Sequence, residues 1–299
     1  MLSTYNGGEF LAEQLDSILT QTYTNLEIII TDDASTDNTV EIIKQYQQKD
    51  SRIKFFENSQ NKGPNKNFEK GIQHASGEYI SISDQDDIWD SRKIETMMKL
   101  WPPGSLFIFS IPGQFHGRDF ESRKPIPRYF FSAINNVHKL VFNTPVSGHA
   151  CMFKKELVAC CLPFPEDIYY DWWISIHAAS MGTLGCIPET LSWQRIHGNN
   201  FSLKVYSTGN KKEKQAALRK QWTYFIETFF KKSLGDEKEK KSLLKYAGML
   251  KKMNGTTFSL AMFRYILKNR KLVFHYKRKP FVFISHLKHA YRMARSGVI

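Results

Sequence analysis

The sequence is poor in the patterns that mark several protein classes. Its four cysteines, Cys151, Cys160, Cys161 and Cys186, form no CxxC pair and no regular framework, which argues against a zinc site or a disulfide scaffold. No run of 18 or more apolar residues occurs, and no basic-then-apolar segment opens the chain, so neither a membrane-spanning helix nor a secretory signal is predicted. We therefore expect a cytoplasmic protein with reduced cysteines.

Positive charge is concentrated at one end of the chain. From Lys204 onward there are 24 Lys+Arg against 5 Asp+Glu, whereas the first 203 residues carry 18 against 24. Basic pairs separated by Phe, Tyr, Leu and Met predict three or four helices after Lys204, either with a solvated basic face or lying on an anionic membrane surface. Nucleic-acid binding is not predicted, because no nucleic-acid motif accompanies the charge.

The 299 residues, 41% of them hydrophobic, are enough for a sizeable core. Short β-branched runs in which apolar and polar residues do not alternate are followed in turn by segments of helical periodicity. This order of strands and helices is typical of an α/β fold with a mostly parallel sheet. In such sheets ligands bind beyond the carboxyl ends of the strands. The predicted strands are 26–31, 52–56, 78–83, 106–109 and 150–153, the predicted helices are 9–19, a capped helix ending at 46, 68–74, 156–161 and 171–179, and a Pro, Gly and basic loop is expected at 112–128.

Two acidic turns follow predicted strands. Asp84, Asp86 and Asp87 come directly after the strand at 78–83, and their mutual repulsion costs stability unless a cation lies among them. Hard carboxylate oxygens suit Mg²⁺ or Mn²⁺ shared with phosphate oxygens. A helix-capping turn is the alternative, and for the earlier Asp32-Asp33 pair an Asx turn is a sufficient explanation. From the residues alone, a cation site and a capping turn both remain open.

Seven segments of the chain form a recognisable set of motifs: Ser3-Thr4-Tyr5-Asn6-Gly7, 31–37, Gly77-Glu78-Tyr79-Ile80, 83–89, 147–153, Tyr170-Asp171-Trp172-Trp173 and 195–200. Taken together, these motifs resemble the family 2 glycosyltransferases of the GT-A fold. The Asp-Gln-Asp-Asp-x-Trp form at 84–89 is especially similar to bacterial rhamnosyltransferase-like members.

The resemblance implies a role for each matching side chain. Mn²⁺ or Mg²⁺ would be held by Asp86, with Asp87 as a second candidate, and by His197 in the closing motif. Asp171 would be the general base of a single displacement that inverts the configuration of the sugar. The donor nucleotide sugar would be contacted by Thr4, Tyr5, Asn6, Asp32, Asp33 and Asp84.

Several of these side chains also admit simpler interpretations. Asp171 is a suitable N-cap for the helix that follows it, and His197 is beside a turn that is typical of a surface loop. Arg195 would reinforce the positive charge around phosphate. Lys62, Lys66 and Asn67 lie between a strand and a helix, where they could meet the diphosphate, although a solvated side chain is the favoured interpretation of the lysines. His149, inside an apolar strand, is expected to be a hydrogen-bonded core residue.

The resemblance implies a domain division and a function. Residues 1–203 would form the catalytic domain, with a nucleotide-binding half at 1–110 and an acceptor half at 111–203, and residues 204–299 a basic helical extension. The expected activity moves a sugar from a UDP- or dTDP-sugar, dTDP-rhamnose among them, to a hydroxyl of a cell-surface polysaccharide or lipid-linked oligosaccharide. The extension would contact the inner face of the plasma membrane. The alternative is a catalytically silent subunit that binds nucleotide or a partner.

Two departures from the family pattern carry expectations of their own. Only Met1 and Leu2 precede the Ser-Thr-Tyr-Asn loop, so the first strand is expected to be mostly absent. Ala34 stands where the family commonly has glycine, which matters little if the φ angle there is negative.

Overall fold

The computed structural model describes residues 1–126, 133–142, 144–198, 200, 210–232, 236–253, 257–275 and 282–298. The chain divides into two compact units. The predicted domain boundary at 203/204 lies outside the described residues, as do Asn199 of the closing motif and residues 127–128 of the predicted loop. The first unit is Met1–Ala133, Val146–Ala178 and Gly182–His197, and the second is Ile134–Pro145, Ala179–Met181 and Gly198–Ile299.

The first unit begins with three parallel strands in the order β1-β2-β3. All five residues of β2 are buried, which explains its continuous apolar run, since a strand covered on both faces has no polar side. The first strand, expected to be mostly absent, is a three-residue strand that pairs with β2 from Leu2↔Ile30 to Thr4↔Asp32. The elements are β1 (Leu2–Thr4), α1 (Leu11–Leu19), β2 (Ile28–Asp32), α2 (Thr39–Lys49), β3 (Ile53–Glu57) and α3 (Pro64–His74).

A second sheet of the same unit has the order β4-β8-β6-β9-β5, with β7 paired to β6. Leu2 forms a parallel bridge with Ser83, so the two sheets adjoin where β1 begins and directly before the acidic turn. Within this sheet β6 and β9 are parallel and the other pairs are antiparallel. The α/β fold is confirmed, while the mostly parallel pairing is limited to the first sheet and β6–β9. The strands are β4 (Tyr79–Ser81), β5 (Ile88–Trp89), β6 (Phe107–His116), β7 (Asp119–Pro125), β8 (Cys151–Lys154) and β9 (Leu184–Ile196).

The loop predicted at 112–128 is instead a β-hairpin over its described part. β6 continues to His116, where it turns and pairs with β7. Pro112 and Gly113 in β6 are typical of a loop, and most of the exposed residues of β7 are charged, so the sequence pattern favours a loop over a strand. Phe120 is its apolar contact, with its ring 5.2 Å from Phe115 and 6.2 Å from Trp193. Gly113 is required here, since a Cβ at that position would lie 2.3 Å from the Trp193 ring.

The helices predicted at 156–161 and 171–179 are present, whereas the helix at Val137–Phe142 was not predicted. After residue 210 the described residues form five helices, where three or four were predicted, and all five are in the second unit. Their core is aromatic and aliphatic, with Phe225, Phe229, Tyr246 and Ile266 buried. Among the described residues, no helix is both long enough and apolar enough to cross a membrane. The helices are α4 (Lys93–Lys99), α5 (Val137–Phe142), α6 (Val158–Cys161), α7 (Tyr170–Met181), α8 (Lys211–Lys232), α9 (Glu237–Lys251), α10 (Leu260–Lys268), α11 (Arg270–Val273) and α12 (Val282–Ser296).

Candidate functional site

Asp86 and His197 meet at the junction of the two sheets. Asp86 belongs to the acidic turn between β4 and β5, and His197 directly follows β9. The His197 Nε2 atom lies 2.8 Å from Asp86 Oδ2, and the two side chains are 16% and 17% exposed. The Phe10 ring packs beside the imidazole, with the ring centroids 4.9 Å apart. Two residues that are 111 positions apart in sequence thus place an oxygen and a nitrogen ligand side by side at the surface.

Asp87, the second candidate ligand, faces the opposite way. It is 1% exposed, and its Oδ1 atom accepts a hydrogen bond from the backbone N–H of Arg195 at 3.1 Å. Its Oδ2 atom lies 3.3 Å from His149 Nδ1. Burial, with repulsion from Asp86 and Asp84, raises the pKa of Asp87 well above its usual range. The structure therefore separates the two carboxylates: Asp86 faces His197, and Asp87 anchors the turn to β9 from inside.

Arg195 is the side chain that fixes the acidic turn in place. It is fully buried, and its guanidinium donates to the carbonyl of Asp86 at 2.8 Å and to the carbonyl of Gly117 at 2.6 Å. A third bond, of 2.7 Å, goes to the Glu13 carboxylate. The guanidinium also lies 4.4 Å from the Phe10 ring centroid. The expectation that Arg195 reinforces phosphate charge is therefore wrong: its charge is enclosed and compensated inside the protein.

The Asp-Asp-Ala-Ser turn after β2 is held by the first of its two carboxylates. Asp32 is fully buried and accepts hydrogen bonds from the Thr4 hydroxyl at 2.7 Å and from the Ser35 N–H and hydroxyl at 2.8 and 2.6 Å. Ala34 has φ +62°, so the condition under which the missing glycine would matter little, a negative φ, is not met, and an L-residue is strained in this left-handed region. Asn6 also has a positive φ, of 48°, and its side-chain carbonyl accepts from the Thr36 N–H at 2.8 Å.

Asp33 and Asn67 tie the parallel sheet to the segment before α3. Asp33 accepts bonds of 2.8 to 2.9 Å from the Asn58 amide and from the N–H groups of Lys62 and Gly63. Asn67 is 1% exposed and donates to the Thr31 carbonyl at 2.8 Å and to the Ser3 hydroxyl at 2.7 Å. The expectation that Asn67 meets a diphosphate is not supported, because its amide is committed to the sheet.

Gln85 connects the opening loop to the acidic turn, a role that sequence reasoning missed. Its amide oxygen accepts from the Tyr5 N–H at 2.8 Å, and its amide nitrogen donates to the Tyr5 carbonyl at 3.1 Å. A Cβ on Gly7 would lie 2.3 Å from the same amide oxygen. The Tyr5 side chain is 46% exposed beside this clamp. The glutamine between two aspartates was the signal: a neutral side chain with both a donor and an acceptor can pair with a peptide backbone.

Asp171 lies in the first turn of α7, and the interpretation of it as the N-cap is wrong, since that position is Tyr169. Its carboxylate accepts from the N–H of Gly148 at 3.1 Å and of Trp172 at 2.7 Å. Burial raises the pKa of Asp171 to about 6. Burial, together with the charges of Asp86 and Asp171, raises the pKa of Asp84 to about 7. The negative charge of Asp171 on α7 therefore acts on the Asp84 carboxyl of the acidic turn.

A buried lysine lies beneath the acidic turn, and sequence reasoning did not identify it. Lys93 is fully buried, with its ammonium 3.4 Å from the Trp89 ring centroid and 2.7 Å from the carbonyl of His149. Burial lowers its pKa to about 7, although the negative charges of Asp87 and Asp84 favour the charged form. The prediction of a hydrogen-bonded core His149 is half correct: it is buried, but its ring nitrogens find no hydrogen-bond partner among the described residues.

The donor set around Asp86 fits a divalent cation that shares its ligands with a substrate. Among the described residues no group of three or more His, Cys, Asp or Glu side chains converges on one position. Asp86 and His197 supply two adjacent ligands, and Mg²⁺ or Mn²⁺ in nucleotide sites commonly takes one or two protein ligands and completes its coordination with phosphate oxygens and water. The pair is therefore adequate for an ion delivered with a diphosphate and inadequate for a closed structural site.

Comparison with known proteins finds curated relatives that are named glycosyltransferases. A protein named "Uncharacterized glycosyltransferase" from Rickettsia bellii is 32% identical over 223 residues, which cover 70% of this chain and 30% of that protein. The chain thus spans less than a third of the length of this relative.

Solved structures with the same fold cover nearly the whole chain. Staphylococcus aureus TarS 1–349 in complex with UDP-GlcNAc has a TM-score of 0.64 at 16% identity and covers 98% of this chain and 89% of its own. The mannosyltransferase PcManGT from Pyrobaculum calidifontis, in complex with GDP-Man and Mn²⁺, has a TM-score of 0.56 at 18% identity and covers 98% and 84%. The family profile described as "Glycosyl transferase family 2" matches residues 1–162. The chain therefore belongs to glycosyl transferase family 2.

Proposed function

We propose that the chain is an inverting, metal-dependent glycosyltransferase that uses a nucleotide-diphosphate sugar. The observation that carries the proposal is the 2.8 Å pairing of Asp86 with His197 at the sheet junction. Asp171 lies close enough to Asp84 for its charge, together with burial and the charge of Asp86, to raise the pKa of Asp84. Neighbouring carboxylates in different environments are typical of a site in which one carboxylate binds a metal ion and another transfers a proton.

Asp86 and His197 would hold the divalent ion, while Asp87 would not. The ring nitrogen of His197 favours Mn²⁺ over Mg²⁺, because Mg²⁺ prefers an all-oxygen, octahedral environment. Such an ion offsets negative charge on a departing diphosphate. Support for this assignment comes from the inward orientation of Asp87 and from the Mn²⁺ named in the PcManGT complex.

Asp171 would accept the proton of the acceptor hydroxyl. The hydroxyl oxygen forms a bond to the anomeric carbon as the bond from that carbon to the diphosphate breaks, and the proton passes to the Asp171 carboxylate. Attack opposite the leaving group inverts the configuration. A pKa of about 6 suits this role, because the carboxylate is deprotonated at neutral pH yet more basic than an ordinary aspartate.

The donor would lie along the opening loop. The exposed Tyr5 and the neighbouring Asn6 would contact the nucleoside, with Asp84 at the ribose or sugar. The buried Thr4, Asp32 and Asp33 would shape the loop through the hydrogen bonds described above. UDP- and dTDP-sugars, including dTDP-rhamnose, are the proposed donors, and the UDP-GlcNAc complex of TarS supports a pyrimidine nucleotide.

The acceptor would be a hydroxyl of a cell-surface polysaccharide or a lipid-linked oligosaccharide. A lipid-linked acceptor is presented at the inner face of the plasma membrane, and the basic extension is the part of the chain proposed to meet it.

The test is donor binding and turnover by matched variants. Wild-type protein should show a thermal shift with one of the UDP-, dTDP- or GDP-sugars only when Mn²⁺ or Mg²⁺ is present. Asp86→Asn should lose that shift, whereas Asp90→Asn, which can keep its bond to the Arg92 N–H, should retain it. Asp171→Asn should bind donor normally and transfer no sugar. A metal-dependent shift without turnover by wild type, across acceptors, would identify a silent nucleotide-binding subunit instead.

A further inference from the structure

The end of the chain carries no negative side chain. Glu239 is the last acidic residue, and residues 240–299 contain 15 Lys+Arg. Within this part α10 and α12 pack against each other in the second unit. Their inner sides supply core residues such as Met262, Ile266 and Met293. What their outer sides expose is therefore not needed for the core.

The outer face of α12 combines apolar and cationic side chains. Ile284, Lys288, Tyr291 and Arg295 are exposed and recur at i, i+4, i+7 and i+11, which places them on one side of a helix. Ile284 is 66% exposed and Tyr291 51%. Phe283, 55% exposed, flanks this row.

The outer face of α10 continues the same surface. The Phe258 ring, just before α10, lies 5.3 Å from the Tyr291 ring, and the Ser259 N–H donates to the Ala294 carbonyl at 2.8 Å. The start of α10 therefore lies beside the end of α12. Leu260 is 52% exposed here. We name this surface the α10–α12 face; it consists of Phe258, Leu260, Phe283, Ile284 and Tyr291 with Arg264, Lys268, Lys288, Arg292 and Arg295.

The composition of this face specifies its partner. Among the ion pairs of the described residues, none includes the five cations of the face, so their charge is available to an anionic surface. Exposed Phe, Ile and Leu side chains suit insertion at the boundary between headgroups and acyl chains, and Tyr suits the interface itself. A nucleic acid would match the charge but not the aliphatic side chains.

We infer that the α10–α12 face docks on an anionic lipid bilayer. The aliphatic and aromatic side chains enter the interface while the lysines and arginines contact lipid phosphates. The inference rests on the proposed function in one respect, because the proposed lipid-linked acceptor explains why the protein would bind a membrane. It assigns the membrane contact to particular side chains of the basic extension.

The test is co-sedimentation of the full chain with vesicles. Binding is expected to vesicles of equal parts phosphatidylcholine and phosphatidylglycerol, and to be much weaker to phosphatidylcholine alone and at high salt. Ile284→Ser should weaken partitioning by about tenfold, and Lys288→Gln by about fivefold. Tyr224→Ser is the matched control, since Tyr224 is 41% exposed on α8, outside the face, and this variant should bind as wild type does.

Three outcomes would overturn the inference. The first is that the wild-type chain does not bind the anionic vesicles. The second is that the double variant Phe283→Ser/Ile284→Ser binds them as well as wild type does. The third is that the double variant loses RNA binding or self-association although wild type does not bind vesicles. Metal-dependent nucleotide binding, measured on the same samples without vesicles, should be unchanged in every variant. Loss of docking and failure of the proposed transferase are thereby distinguished.

Discussion

Replacement of Arg195 by lysine should destabilise the protein, although the charge is kept. The guanidinium makes three separate contacts, to the carbonyls of Asp86 and Gly117 and to the carboxylate of Glu13. A lysine can keep the ion pair with Glu13 but cannot reach both carbonyls, because its three donors share one nitrogen. Two lost hydrogen bonds from a charged donor, at about 1.5 kcal/mol each, predict a loss of about 3 kcal/mol in the free energy of unfolding.

Arg118 offers a matched control for this substitution. It pairs with the same Glu13 at 2.8 Å and lies over the same Phe10 ring at 5.5 Å, but its side chain is 65% exposed. Arg118→Lys should therefore cost less than about 1 kcal/mol. The assay is urea unfolding followed by fluorescence and circular dichroism, with the slope against urea compared among variants. Unchanged stability of Arg195→Lys, together with weaker nucleotide binding, would refute the reasoning and restore a phosphate-binding role.

Three further predictions concern the loop, the sheet and the base. Ala34→Gly should raise stability by about 0.5 kcal/mol, because relief of the left-handed strain exceeds the added freedom of the unfolded chain; a lower melting temperature would contradict this. Asn67→Ala should cost about 3 kcal/mol through its lost buried bonds, while the neighbouring Lys66→Ala should change stability by less than about 0.5 kcal/mol, and equal effects would be inconsistent with the buried amide. Transfer should rise as pH increases through about 6 and then level off, because Asp171 acts deprotonated and burial raises its pKa to about 6. That raised pKa means the folded state holds the proton more tightly, so this carboxyl should lower metal-free stability as pH rises from about 4 to about 6, and in Asp171→Asn this contribution should disappear.

The elements of the parallel sheet could be predicted because each carries its own local signal. The run ending at Asp32 is buried on both faces and needs no partner to be identified as a strand. β7 could not be predicted, because Phe120 is its only large apolar residue. The Phe115 and Trp193 rings that Phe120 contacts lie on other strands. The direction of pairing in the second sheet could not be predicted either, since apolar periodicity is the same for parallel and antiparallel strands.

For the site, sequence reasoning identified which residue types assemble but not which way they face. Asp86 and Asp87 are adjacent in sequence and have the same side chain. What distinguishes them is the hydrogen bond from the Arg195 N–H on β9, which holds Asp87 inside the protein. Arg195 and Lys93 were missed as internal residues because a charged side chain is ordinarily exposed. Their burial depends on partners such as Glu13 and the His149 carbonyl, which lie far away in sequence.

The most direct test of the account is the position of manganese in crystals grown with Mn²⁺ and a nucleoside diphosphate. Anomalous scattering should place the ion in contact with both Asp86 and His197, with Asp87 still bonded to the Arg195 N–H. An ion bound by Asp87, or a bound nucleotide with no manganese at Asp86, would contradict the proposed metal centre.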